Sequence, residues 1–272
     1  MEHKAAFVQI SDFHLERAGS RAYGGADAGA YVANCLKAVN ELSAPVQFVV
    51  VTGDLAESGL VEEYQYAREL LSGLSLPYYV IPGNHDRREP FLQEFRGEAC
   101  PVTDGQFAQY DFQWGKYHCI AIDTLAEGTN GGELCSSRLE WLETRLRREA
   151  GKPRVIFMHH PPIQTGIAFM DSIRLKQAAA DALEKLLARY PAETHIVCGH
   201  VHRAISTVWA GASLHICPGI MHHISFSLSE KPEASYCFEP PAFNVFAETA
   251  HGLVSHAVHV ERYGPKHSFA DG

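Results

Sequence analysis

The feature that most constrains the fold is a repeated transition, in which a short apolar, β-branched run stops abruptly at residues bearing carboxylate, amide or imidazole groups. "AAFVQI" runs into "SDFH", "VQFVVV" into "TGDL" and "PYYVIP" into "GNHD"; later "YHCIAI" meets "DT", "RVIFM" meets "HHPP", "HIVC" meets "GHVH" and "SLHIC" meets "PG". Near-continuous apolar runs of this length read as strands buried on both faces. Between several of them lie segments with helical spacing of apolar residues, at 62–74, at 136–150 with Leu139, Leu142 and Leu146, and at 173–190. Strand, loop, helix and strand in alternation predict an α/β fold. Ligands of such sheets bind beyond the carboxyl ends of the strands, so five polar segments remote in sequence can converge on one edge.

The 272 residues suffice for one large domain with an appendage. From about Ser225 the text turns Pro- and Glu-rich ("SLSEKPEASYCFEPPAF") and ends in an alternating "LVSHAVHVERY". The reading places a main domain at 1–224 and a small C-terminal cap or edge extension at 225–272. No run of about 18 apolar residues suggests a membrane span. A net charge of −9 argues against a nucleic-acid duplex as partner, so an anionic substrate must be held by local charge. Seven cysteines with no C-x-x-C pair, and an N-terminal apolar run too short for a signal-peptide core, lead to reduced thiols and a cytoplasmic protein as expectations.

Collected from the strand ends, the metal-capable side chains are Asp12 and His14, Asp54, Asn84, His159, His200 and His202. Two carboxylates, one amide and four imidazoles form a mixed nitrogen and oxygen set suited to Zn, Mn, Fe or Co. A spacing of two in an extended segment would turn Asp12 and His14 to one face, and His200 and His202 likewise. Seven ligands exceed one tetrahedral ion but suit two ions sharing a carboxylate. Gly53, Gly83 and Gly199 fit tight turns where the backbone must pass close to a metal or phosphate.

This ordered series, D-x-H, G-D, G-N-H-D, H and G-H-x-H, resembles the calcineurin-like metallophosphoesterases over about Ala6 to His202. "YQYARELL", "IPGNHD", "FMHHPP" and "GHVH" look most like bacterial glycerophosphodiesterases and class III cyclic-nucleotide phosphodiesterases. The resemblance implies a four-layer αββα sandwich holding two divalent ions. It gives one ion to Asp12, His14 and His202, the other to Asn84, His159 and His200, with Asp54 as the bridge. Some relatives carry a C-terminal cap that takes part in oligomerisation, which makes a homo-oligomer the expectation here.

The implied reaction is hydrolysis of small phosphodiesters, glycerophosphodiesters or 3′,5′-cyclic nucleotides, by hydroxide from a water acidified between the two cations. His85 is expected to approach the phosphate or protonate the departing oxygen, Asp86 to orient or charge its ring, and Asn84 to supply a neutral oxygen. His222, after another strand end, is a substrate-contact candidate, with Arg17 and Tyr23 as further candidates; His160 is read as structural, and Arg87 and Arg88 as solvated. A phosphomonoesterase or protein phosphatase is the alternative, disfavoured because "GDLAESG" lacks the Asp-Arg-Gly element of the protein phosphatases; a non-catalytic scaffold is the remote one.

Overall fold

The computed structural model describes residues 5–102, 105–231, 233–262, 264, 265 and 267–269. Thirteen strands among these residues form two large sheets and a small ribbon. The first sheet contains β1 (Ala6–Ile10), β2 (Val46–Val51), β3 (Tyr78–Val80), β12 (Ala242–Thr249) and β13 (Gly252–His259), in the order β13-β12-β1-β2-β3. β1, β2 and β3 run parallel, while β12 is antiparallel to β1. The second comprises β4 (Tyr110–Trp114), β5 (Tyr117–Ala121), β6 (Arg154–Met158), β7 (Thr194–Cys198), β8 (Ile205–Trp209) and β9 (Ala212–Ile216), in the order β4-β5-β6-β7-β9-β8. Its central strands β5, β6, β7 and β9 are parallel.

The sheets pack face to face through aromatic side chains. The Phe7 ring meets Phe157 edge-on with centroids 5.5 Å apart, and Phe48 meets Phe112 at 5.4 Å. Such edge-to-face pairs are favoured beyond the area they bury. Helices α1 (Ala28–Asn40), α2 (Val61–Leu71) and α3 (Arg88–Phe95) cover the first sheet. α4 (Ser136–Arg148) and α6 (Gln177–Arg189) cover the second, α4 through Leu142 and Leu146 and α6 through Leu183, Leu186 and Leu187. Helix, sheet, sheet and helix make the four-layer sandwich. α6 begins four residues later than its apolar spacing suggested, because Leu175 and Lys176 donate their backbone N–H groups to Pro161 and Gly132. A short α5 (Ala168–Ser172) precedes it, its loop closed by the Asp171 carboxylate accepting from the backbone of Thr165 and Gly166.

The first sheet crosses the boundary drawn at residue 224. β12 inserts beside β1 and buries Phe243 and Phe246, the latter stacked on Phe7 at 4.7 Å, so residues 242–259 belong to the sandwich. Only the ribbon of β10 (His223–Ile224) and β11 (Tyr236–Cys237), with the residues around it, overhangs the sheet edge. No helix among the described residues is long and apolar enough to cross a membrane.

Candidate metal centre

Every one of the seven expected ligands lies on a loop leaving the carboxyl end of a parallel strand: β1, β2, β3, β6 or β7. The loops are not extended. Asp12, His14, Asp54, His200 and His202 have positive φ of 60°, 47°, 52°, 74° and 54°, five of the six such non-glycine residues among those described. The same-face argument for the D-x-H and H-x-H pairs is therefore corrected: side chains converge because the chain alternates through left-handed turns, with Phe13 and Val201 sent into the core between them. Each turn costs roughly 1–2 kcal/mol for a residue with a Cβ. A ladder continued past the strands offsets part of that cost, Asp12 N–H donating to Gly53 and His14 N–H to Asp54. Gly53, at φ 103°, is required by a neighbour: a Cβ there would lie 2.4 Å from His159 Nδ1.

The inner atoms of the set crowd together. Asp54 Oδ1 accepts the backbone N–H of His85 at 2.8 Å, leaving Oδ2 between His159 Nε2 at 3.3 Å and His14 Nε2 at 3.7 Å. Asp12 Oδ1 lies 3.3 Å from His202 Nε2, and Asn84 Oδ1 lies 3.1 Å from His159 Nε2. The outer nitrogens are all engaged by oxygen: His14 Nδ1 by Glu57 at 2.7 Å, His159 Nδ1 by the Thr52 carbonyl at 2.7 Å, His202 Nδ1 by the His222 carbonyl at 3.1 Å and His200 Nε2 by the Ile173 carbonyl at 3.1 Å. The oxygens accept, so each outer nitrogen carries a proton; against burial, Asp54 raises the pKa of His159 to about 9 and Asp12 raises that of His202, so a cation would displace a second, inner proton from those two rings. Converging imidazole nitrogens and carboxylate oxygens, with oxygen acceptors behind each ring, are what divalent cations require.

Charge follows burial and neighbours. Burial alone would raise the pKa of Asp12 and Asp54, but the imidazoles of His202 and His159 hold both below the usual carboxylate range. Burial pushes His200 down to about 3, which keeps its inner nitrogen free of a proton.

Glu57 was not picked out from the sequence. Its carboxylate accepts from Tyr23 at 2.6 Å as well as facing His14, and its carbonyl takes His85 Nδ1 at 2.9 Å. Asp86, expected to orient the His85 ring, does something else: fully buried, it accepts from the backbone N–H groups of Gly83, Ala56 and Leu55 and clamps the β2 and β3 loops together. His160 is engaged on both sides, by Thr124 Oγ1 and the Asn130 carbonyl. Arg88 forks onto the Asp123 carboxylate, while Arg87 and Arg17 are exposed.

Above the cluster opens a cleft of about 200 Å³. Its floor is formed by His14, Asp54, Asn84, His85, His200 and His202, and its sides by Tyr23 and His222. His222 is buried, its Nδ1 without a partner, its ring 4.4 Å from those of Tyr23 and His202. The α5 loop and the ribbon add an apolar lining of Phe169, Met170, Ile173, Ile224 and Tyr236, the last with its ring 5.4 Å from that of Tyr23. Among the described residues, no lysine or arginine lines the cleft.

Comparison with known proteins points one way. The calcineurin-like phosphoesterase family model matches residues 5–204. The chain is 32% identical over 260 residues to a probable glycerophosphodiester phosphodiesterase of Arcobacter nitrofigilis, covering 95% of this chain and 94% of that protein. It is 34% identical over 268 residues to a probable cyclic nucleotide phosphodiesterase of Rhodopseudomonas palustris, covering 97% and 96%. A purple acid phosphatase from yellow lupin shares the fold, with a TM-score of 0.66 at 15% identity over 96% of this chain and 52% of that one.

Proposed function

The chain belongs to the calcineurin-like phosphoesterase family, and from that premise we propose that it hydrolyses small phosphodiesters, glycerophosphodiesters or 3′,5′-cyclic nucleotides, with two divalent cations. It is a metal-dependent phosphodiesterase. The observation that carries the two-cation reading is the inward set: four imidazole nitrogens, two carboxylates and one amide oxygen gathered at and beneath the floor of a single cleft, with every outer imidazole nitrogen held by oxygen.

When bound, the two cations, Fe, Zn, Mn or Co, supply an acidified water and neutralise charge on the phosphate. The chain's own residues do the rest. Asp12, His14 and His202 would hold one cation, Asn84, His159 and His200 the other, with Asp54 shared between them. His85, fixed by Glu57 through Nδ1, presents the rest of its ring to the cleft, where it can give a proton to the leaving oxygen. Tyr23 and His222 contact the substrate from the side, while Glu57 fixes the orientation of His14.

The absence of lysine and arginine among the described residues of the cleft favours diesters, whose single charge asks less of the site than a monoester dianion. The residues after Asp54 agree, because "GDLAESG" holds no arginine. The apolar lining suits an ester arm without charge. Residues 225–241 would serve as cap, and their exposed Phe226, Leu228 and Phe238 suit contact with a second copy in a homo-oligomer. Seven free thiols, five of them buried, fit a cytoplasmic setting.

A hydrolysis panel on metal-free protein reconstituted with Mn, Zn, Co or Fe tests the reading. It compares glycerophosphoethanolamine, cyclic AMP, a bis-aryl diester and an aryl monoester. Good turnover of diesters and poor turnover of the monoester is expected. Binding of two ions with no hydrolysis of any ester would transfer the case to a scaffold.

A further inference from the structure

Phe7 and Gln9 stand two apart on β1 and so share a face, the one that meets the second sheet. Phe7 meets Phe157 there. Two residues nearer the metal floor, the same interior holds an amide instead of another apolar group, and Gln9 is fully buried. Its Nε2 donates twice, to Thr52 Oγ1 at 2.9 Å and to the Cys198 carbonyl at 2.7 Å, and its Oε1 accepts from Asn244 Nδ2 at 3.1 Å.

Burying an amide costs desolvation that its hydrogen bonds must recover, so the identity of its partners is informative. Thr52 follows β2 and lies two residues before Asp54; its own carbonyl fixes the Nδ1 proton of His159. Cys198 ends β7 two residues before His200. Gln9 thus ties the first sheet to the second at the point where the loops bearing Asp54 and His200 depart, and Asn244 braces it from β12.

We infer that Gln9 is a positioning residue that sets the separation of the Asp54 loop, on the first sheet, from the paired His159 and His200 loops, on the second, and through it the affinity of the second cation. The inference rests on the two-cation reading above. Calorimetric titration of metal-free protein with Mn or Zn is the test, applied to the wild type, Gln9→Leu, Thr52→Val and a control, Val8→Ala, taken from the same strand. Gln9→Leu leaves buried Asn244 Nδ2 and Thr52 Oγ1 without this partner, so it should lower the thermal midpoint of the metal-free protein and weaken the second cation about 10- to 100-fold, as loss of groups that orient ligands does. Thr52→Val, which keeps the carbonyl but removes the hydroxyl, should shift the titration in the same direction. Val8→Ala should lower the midpoint and leave the titration alone.

Wild-type affinity for both ions in Gln9→Leu overturns the inference; if that variant does not fold, the same result in Thr52→Val does so. Failure of the wild type to take up two ions would instead overturn the two-cation reading. The two failures are therefore separable.

Discussion

His14 Nε2 and His202 Nε2 lie 3.2 Å apart in a buried site, while the opposite nitrogen of each ring is held by Glu57 and by the His222 carbonyl. Burial lowers the pKa of both rings, but Asp12 outweighs it at His202, so His202 can hold a second proton and donate it to His14, a proton that a cation between the rings would displace. Stripping metal with a chelator should lower the thermal midpoint, and restoring Mn or Zn at about 100 times its dissociation constant should recover about 2.7 kcal/mol per site. That is a rise of roughly 5–10 °C for a chain of this size. An identical midpoint with and without metal would remove the cation from the explanation of this contact.

Asn84 and His85 are adjacent but should fail differently. Asn84→Ala is expected to lose the second cation at limiting metal and to regain part of its turnover in excess metal. His85→Ala should keep its metal content and slow by roughly 10²–10⁴, the range of a lost general acid. Metal analysis alongside kcat separates them; loss of metal from His85→Ala would count His85 as a ligand.

Glu57 acts through other residues. Glu57→Gln still accepts from Tyr23 but offers His14 a weaker acceptor, so metal affinity should fall about 10- to 100-fold. Equilibrium dialysis against a chelator series gives the number, and unchanged affinity would leave Glu57 as a purely structural brace.

Acid stability has a local contributor far from the cleft. Burial would raise the pKa of Asp111 on β4, but hydrogen bonds from His118 and Arg145 and the charge of Arg148 outweigh it and hold the carboxyl at about 2, against 3.8 ordinarily. The folded value is the lower one, so its stabilisation is present above about pH 4 and fades as pH falls toward 2. The midpoint gap between the wild type and Asp111→Asn should hold from pH 7 to about 4.5 and close below it. A gap that persists at pH 2.5 would show the contribution to be packing alone.

Cys135 stands at the N-cap of α4, within 3.1 Å of Ser137 Oγ and 3.4 Å of Arg138 Nε. Partial burial would raise its pKa, yet those partners bring it to about 7. The thiolate therefore grows in between pH 6 and 8. Iodoacetamide at pH 7 should label Cys135 ahead of Cys237, whose thiol is shifted upward, and of the five buried cysteines. Peptide mapping would show this, and equal labelling of Cys135 and Cys237 would refute it.

Much of the fold was legible because apolar runs report burial directly: β1, β2, β3, β5, β6, β7 and β9 fall where the runs lie, and the ligand letters follow them. The conformations of the ligand loops were not legible, since nothing about Asp12 or His200 as letters says that the backbone turns left-handed there. Glu57 escaped notice because an isolated glutamate in "GDLAESG" gains meaning only when the fold brings Tyr23, His14 and His85 around it. Asp86 misled for the opposite reason: adjacency to His85 suggested a side-chain partner, whereas the carboxylate points back to three backbone donors. β12 was read with the cap because its partner, β1, lies more than two hundred residues away, and pairing at that distance leaves no local pattern.

That pairing governs the order in which the molecule can be assembled. Gln9 and Asn244 are opposite one another in register, so β1 remains an open sheet edge until the chain 235 residues further on has been synthesised. All seven ligand residues leave the ribosome before β12 does. A nascent chain therefore holds the metal-binding side chains well before it can hold them in place, and high contact order makes the closing step slow. Cation capture in a defined geometry waits on the last strands of the first sheet.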